Sequence, residues 1–112
     1  MKLLVCVLNE TEKLNELMAA MAEFGITDAT VIESQGMGRI LSHQTPVFAG
    51  FRHLLAGDRP FNYTIFAVIE DELLVNRTLE AMKRHLLPGT RDGTHGIAFA
   101  VPVSGFIRFD EE

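Results

Sequence analysis

Residues 25–39 read GITDATVIESQGMGR, and the fold turns on how this stretch is parsed. Gly25 reads as a helix-ending glycine, because the left-handed conformation that closes many helices costs glycine nothing sterically. Residues 26–34 are rich in β-branched side chains, with Ile26, Ala29, Val31 and Ile32 apolar, and predict a strand. Gly36 and Gly38 end that strand, and Arg39 follows at once. No regular element resumes convincingly until Phe61. A helix stop, a strand, a Gly-x-Gly-Arg junction and a long gap therefore have to fit one small fold.

Working backwards, residues 3–8 are a continuous apolar run and read as a buried strand. Asn9 stands as an N-cap, with Glu12 three residues later in capping-box position. Residues 10–24 place Leu14, Leu17, Met18, Met21 and Phe24 at helical spacing. Working forwards, residues 61–70 form a third strand. Glu70, Asp71 and Glu72 then set negative charge at a helix N-terminus, the sign that the helix dipole favours. That helix carries Val75, Thr78, Leu79, Met82 and Leu86 on one face, and Pro88 and Gly89 stop it. Residues 88–96 are a glycine-rich loop, and 97–103 a fourth strand. Pro102 lacks a ladder donor, so this strand belongs at an edge or is bulged. Residues 105–109 can add a short fifth strand.

The order β-α-β-loop-β-α-β is the ferredoxin-like βαββαβ pattern of the α+β class: one antiparallel sheet with two helices on one face. Strands one, three and four read as apolar on both faces, and no further helix is available to cover the second face. Subunit association is the economical cover.

Length and composition fit one domain spanning residues 1–112, with 47% hydrophobic and 22% charged residues. The formal net charge of −5 argues against nucleic-acid binding through a basic surface. Cys6 is the lone cysteine, so it reads as a buried core thiol. The apolar N-terminal run is short for a signal peptide and no run reaches membrane-spanning length, which gives a cytoplasmic expectation.

Two glycine segments and three arginines carry the binding chemistry. Gly36 and Gly38 permit positive φ and close backbone approach, and Arg39 follows them. Residues 89–96 (GTRDGTHG) supply further exposed amides together with Arg91 and His95, and Arg108 stands near the C-terminus. Backbone amides cradle anions and guanidinium forks bind phosphate in bidentate fashion, so this set suits a polyphosphate. Neither glycine segment matches a Walker A or Rossmann fingerprint. The histidines His43, His53, His85 and His95 form no catalytic or zinc-spaced motif. Residues 37–60 read as a long loop whose apolar residues include Ile40, Leu41, Val47, Phe48, Phe51, Leu54 and Leu55, and such a loop docks on a partner or packs on its own domain. Strand extensions, or a helical turn at 51–55, are the rival assignment.

The stretch 25–39, together with residues 88–109 (PGTRDGTHGIAFAVPVSGFIRF), resembles the PII nitrogen-regulatory signalling proteins, and the resemblance runs collinearly along the chain. It implies a homotrimer with sheets facing inward. It implies ATP or ADP as a ligand in the clefts between subunits, with no obligatory cofactor. It implies a partner-binding loop at 37–60. Carried over residue by residue, nucleotide binding falls on Gly36, Gly38, Arg39, Gly89, Arg91, Gly93 and Arg108, and partner binding on Phe48, Phe51 and His53. The chain departs from the family where Ile40 replaces a glutamine, where the loop lacks a modifiable tyrosine, and where Asp110 replaces a second C-terminal arginine. These departures argue against uridylylation and weaken the case for 2-oxoglutarate.

The resulting expectation is a non-enzymatic signalling protein in nitrogen regulation. It binds a nucleotide or similar small anion and regulates a target protein, an enzyme or a transporter, through its loop. Two rivals come from other classes: a small ferredoxin-like enzyme with His43 or His53 as base, and a metal-responsive trimer using loop histidines.

Overall fold

The computed structural model describes residues 1–44, 61–86 and 95–110. In chain order the elements are β1 (Lys2–Leu8), a 3₁₀ turn (Thr11–Lys13), α1 (Leu14–Glu23), β2 (Thr30–Ser34), α2 (Met37–Gln44), β3 (Asn62–Ile69), α3 (Glu72–Leu86) and β4 (Gly96–Pro102). The strands make one antiparallel sheet in the order β2-β3-β1-β4. This is the expected split β-α-β arrangement, with β4 at an edge and Pro102 in its last position.

Alternation along the strands separates two faces. Leu4, Cys6 and Leu8 of β1 and Ile65, Ala67 and Ile69 of β3 pack with Leu17 and Met21 of α1 and with Val75, Met82 and Leu86 of α3. Burial there pushes the Cys6 thiol up to about 11. The intervening residues point the other way. Register aligns Phe66, Val5 and Phe99 across three strands, flanked by Val68, Leu3 and Val101. Among the described residues no helix covers this second face, and on β4 Ile97 is 56%, Phe99 43% and Val101 39% exposed.

Local signals explain the helix ends. Gly25, at φ +84°, follows α1 and lets Ile26 N–H return to the Met21 carbonyl. Asp71 Oδ1 accepts the Leu73 N–H at 2.9 Å at the start of α3. Lys83, Arg84 and His85 occupy the last turn of α3, where the dipole favours cations.

Several sequence expectations are corrected. Residues 37–60 are not a continuous loop, because Met37–Gln44 is helical and the Ile40 N–H bonds the Gly36 carbonyl at 3.2 Å. Of these eight residues only Gly38 disfavours a helix appreciably, and met by itself it is an affordable defect. Strand β2 begins at Thr30 and not at Ile26, because the Ile26 N–H is taken by the Met21 carbonyl in the turn that closes α1. The first turn after β1 is 3₁₀, with Glu10 at its N-cap position one residue beyond Asn9. No fifth strand forms at 105–109. The chain bends at Ser104 after the donor-less Pro102, and Arg108 is held beside Asp28 at the far side of the sheet.

Candidate functional site

The strands carry the expected site residues to opposite ends of the sheet. At one end lie Leu8, Ser34, Asn62 and Gly96, where β1 and β2 finish and β3 and β4 begin. Gly36 and α2 leave from this end. A Cβ at Gly36 would stand in ordinary contact with Asn62 Nδ2, at 3.7 Å. The left-handed backbone expected of Gly36 and Gly38 is absent: among the described residues only Gly25 has positive φ, and Gly38 lies inside α2. Gly96 has the stricter need for glycine, since a Cβ there would collide with the Val7 carbonyl oxygen.

A polar chain lines this end. Ser34 Oγ is 2.5 Å from Asn62 Oδ1 and 2.8 Å from Thr64 Oγ1, and Asn62 Nδ2 donates to Asn9 Oδ1 at 3.2 Å. A hydroxyl has one proton, so Ser34 donates to the Asn62 side-chain oxygen Oδ1 while Thr64 donates to Ser34. Beside the chain lies a cluster that sequence reasoning missed. Glu10, at 2% exposure, is buried against Lys13 and His95. Nothing in the local sequence marks it, because its partner His95 lies beyond β2, β3 and all three α-helices described.

At the opposite end stands Arg108. Its Nη1 is 3.6 Å from Asp28 Oδ2, its Nε is 3.9 Å from Asp110 Oδ2, and its guanidinium lies 5.5 Å from the centre of the Phe106 ring. The side chain remains half exposed, and exposed pairs of this kind contribute at most about 1 kcal/mol, so a stronger anion can take the guanidinium. Arg108 borders a slot of about 220 Å³ whose walls include Thr30, Phe66, Val68 and Phe106. A larger groove, about 540 Å³, runs along the exposed flank of α3 between Phe24, Arg77 and Arg84.

The seven residues of β1, at roughly 3.3 Å each, put the two ends on the order of 20 Å apart. One chain therefore does not bring Gly36 and Arg108 onto a single phosphate group. Gly89, Arg91 and Gly93, and the partner-binding Phe48, Phe51 and His53, lie outside the described residues. His43 falls on α2. Among the described residues, no group of three His, Cys, Asp or Glu side chains is placed to hold a metal ion, and no helix is long and apolar enough to cross a membrane.

The family model described as nitrogen regulatory protein P-II matches residues 1–112, the whole chain. No curated protein matches the chain closely enough to count as a relative.

Proposed function

This chain belongs to the nitrogen regulatory protein P-II family, and we propose that it works as a trimeric, ligand-gated regulator of a partner protein in the cytoplasm. Membership supports a signalling role and not a catalytic one. The carrying observation is the separation of the two half-sites across an uncovered apolar face. Gly36 leaves one end of the sheet, Arg108 stands at the other, and Val5, Phe66 and Phe99 lie between them on the face opposite α1 and α3. Packing that face against neighbouring copies satisfies it and sets one copy's Gly36 end against the next copy's Arg108 end.

The ligand in this reading is ATP, ADP or a similar small anion. Gly36, Gly38 and Arg39, with Gly89, Arg91 and Gly93, hold its phosphates from one subunit. Arg108 of the adjoining subunit closes on it, exchanging Asp28 for phosphate oxygens. The slot beside Arg108, walled by Phe66 and Phe106, suits a flat apolar ring. Ligand binding at the foot of α2 then biases the segment through residue 60, whose Phe48, Phe51 and His53 contact the partner. The only tyrosine, Tyr63, lies in β3 with its ring edge-on to Phe61. Control therefore runs through ligand occupancy and not through a modified loop tyrosine.

Calorimetry with ATP, ADP, AMP and cyclic dinucleotides tests the ligand. Absence of binding at millimolar concentration overturns the nucleotide part. Mixed assemblies test the shared site: Arg39→Ala and Arg108→Ala each abolish binding alone, and co-assembly of the two restores a fraction of intact sites. If the mixture binds no better than either parent, both arginines serve the same copy and the reading fails.

A further inference from the structure

The outer flank of α3 carries a patch that takes no part in the proposed ligand site. Leu73, Asn76, Arg77, Glu80 and Arg84 recur at three- and four-residue spacing, so they share one exposed stripe. Four of them, with Phe24 from the end of α1, wall the groove of about 540 Å³. Phe24 is half-buried and Leu73 is exposed, so the patch has apolar surface beside its charges. The chain carries a net charge of −5, yet this stripe is cationic. The helix dipole accounts for Arg84 and its neighbour Lys83, which stand in the last turn. It does not account for Arg77, which lies in the first half of the helix. Glu80 stands three residues from Arg77 and four from Arg84, spacings at which helical ion pairs close. Neither pair closes, and among the described residues neither guanidinium has an ion-pair or hydrogen-bond partner. Two guanidiniums beside an apolar wall are left for a group from outside the chain.

We propose that this flank of α3 docks an acidic, amphipathic helix of a partner protein. Charge selects an acidic occupant, because each arginine can take a carboxylate in a bidentate pair. Spacing selects a helix. Arg77 and Arg84 are seven residues apart, which is about 10 Å along the helix axis. Acidic residues two turns apart on a neighbouring helix match that distance. Same-face residues of an extended strand recur at about 7 Å and then about 14 Å, and match it poorly. Phe24 and Leu73 take the partner's apolar stripe, as a groove receives a helix. Glu80 between the arginines rejects a third acidic residue opposite it, so the pattern that fits is acidic, then neutral or basic, then acidic. α1 and α3 lie on the face of the sheet opposite Phe66 and Phe99, so packing of copies through those residues does not draw on the groove. The docking surface requires neither the nucleotide reading nor the contact proposed for residues 37–60.

The probe is a synthetic helical peptide with leucines along one stripe and glutamates two turns apart beside it, paired with its glutamine and lysine counterparts. Fluorescence anisotropy on the full chain should show the glutamate peptide binding at about micromolar concentration and the glutamine peptide about tenfold more weakly. The difference should shrink as salt rises. Arg77→Glu combined with Arg84→Glu should weaken the glutamate peptide about tenfold or more and gain the lysine peptide, a gain that mere damage to the helix does not produce. If the reversed pair does not fold, Arg77→Gln combined with Arg84→Gln decides, because it brings no new charge to the helix end. No binding of the glutamate peptide by wild type, equal binding of the glutamine peptide, or unchanged binding by the variants overturns the proposal. Two other occupants are tested alongside. Phosphatidylserine vesicles that bind through the same arginines more tightly than the peptide assign the patch to a lipid surface. A peptide of residues 105–112 that does so assigns it to the chain's own acidic end. Either result overturns the partner helix.

Discussion

The two faces of the sheet are built from the same kinds of residue and have opposite fates. On one face Leu4, Cys6, Leu8, Ile65 and Ile69 are buried under α1 and α3. On the other, Leu3, Val5, Val7, Phe66 and Val68 sit beside Ile97, Phe99 and Val101, with no helix of the described residues above them. Antiparallel sheets with one wet face normally alternate apolar with polar residues. Here β1 and β4 alternate apolar with apolar. The covered face is the chain's own core, and the uncovered face is the one that the proposed assembly would bury. A given substitution should therefore read out differently on each face.

The largest effect is expected on the edge strand β4 of the uncovered face. Phe99→Asp places a charge where a lone subunit leaves the side chain 43% exposed. If copies pack there, the carboxylate is buried unpaired and assembly is lost. Sedimentation equilibrium should show a trimer for wild type and a folded monomer for the variant. A variant that stays trimeric breaks the comparison, because the face then carries no interface. Next comes Leu4→Ala on the covered face, with 1% of Leu4 exposed. A buried cavity of that kind costs about 2–5 kcal/mol, seen as a lower urea midpoint. Its immediate neighbour Leu3 points to the uncovered face, so Leu3→Ala should weaken assembly more than it weakens the subunit.

Cys6 gives the covered face a pH signature. Its thiol titrates near 9.0 when unfolded and near 11 in the folded chain, through burial. A raised folded value means that the stabilising contribution is whole below pH 9 and is lost as pH rises towards 11. The loss approaches about 3 kcal/mol across that window. Urea midpoints at pH 8 and pH 10.5 measure it, and Cys6→Ala should remove this part of the slope.

What the sequence made legible follows the range of the interactions. The strand 3–8, the α1 stripe, the closing glycine and the acidic start of α3 are local patterns, and the structure places them within a few residues of expectation. The apolar character of both faces was legible as well. Helix α2 was not, because eight residues with a glycine in second position give too few turns for periodicity to register. For the candidate site, the residue types were legible and their arrangement was not. Arg108 and Gly36 were grouped by chemistry, while the strands set them at opposite ends. Glu10 was hidden for the same reason: its partners are His95 and a lysine whose second bond spans 72 residues. Local spacing carries no trace of contacts formed only when the sheet closes.

The smallest effect concerns the hinge between the two faces. Gly25 turns the chain from α1, on the covered side, into the segment that leads to β2. Its φ of +84° lies where L side chains are strained, yet a Cβ there meets nothing within 4 Å. Only the backbone term should therefore respond. Gly25→Ala should cost about 1–2 kcal/mol, and Gly25→Asn less, because asparagine tolerates the left-handed region. Urea midpoints for the pair separate conformational strain from steric conflict. If alanine and asparagine cost the same, the loss comes from displaced packing around Ile26 and not from φ. Neither should alter assembly, since the turn contributes no side chain to the uncovered face. A change in sedimentation would mean that strain at this corner reaches β2, and that the two faces are coupled through it.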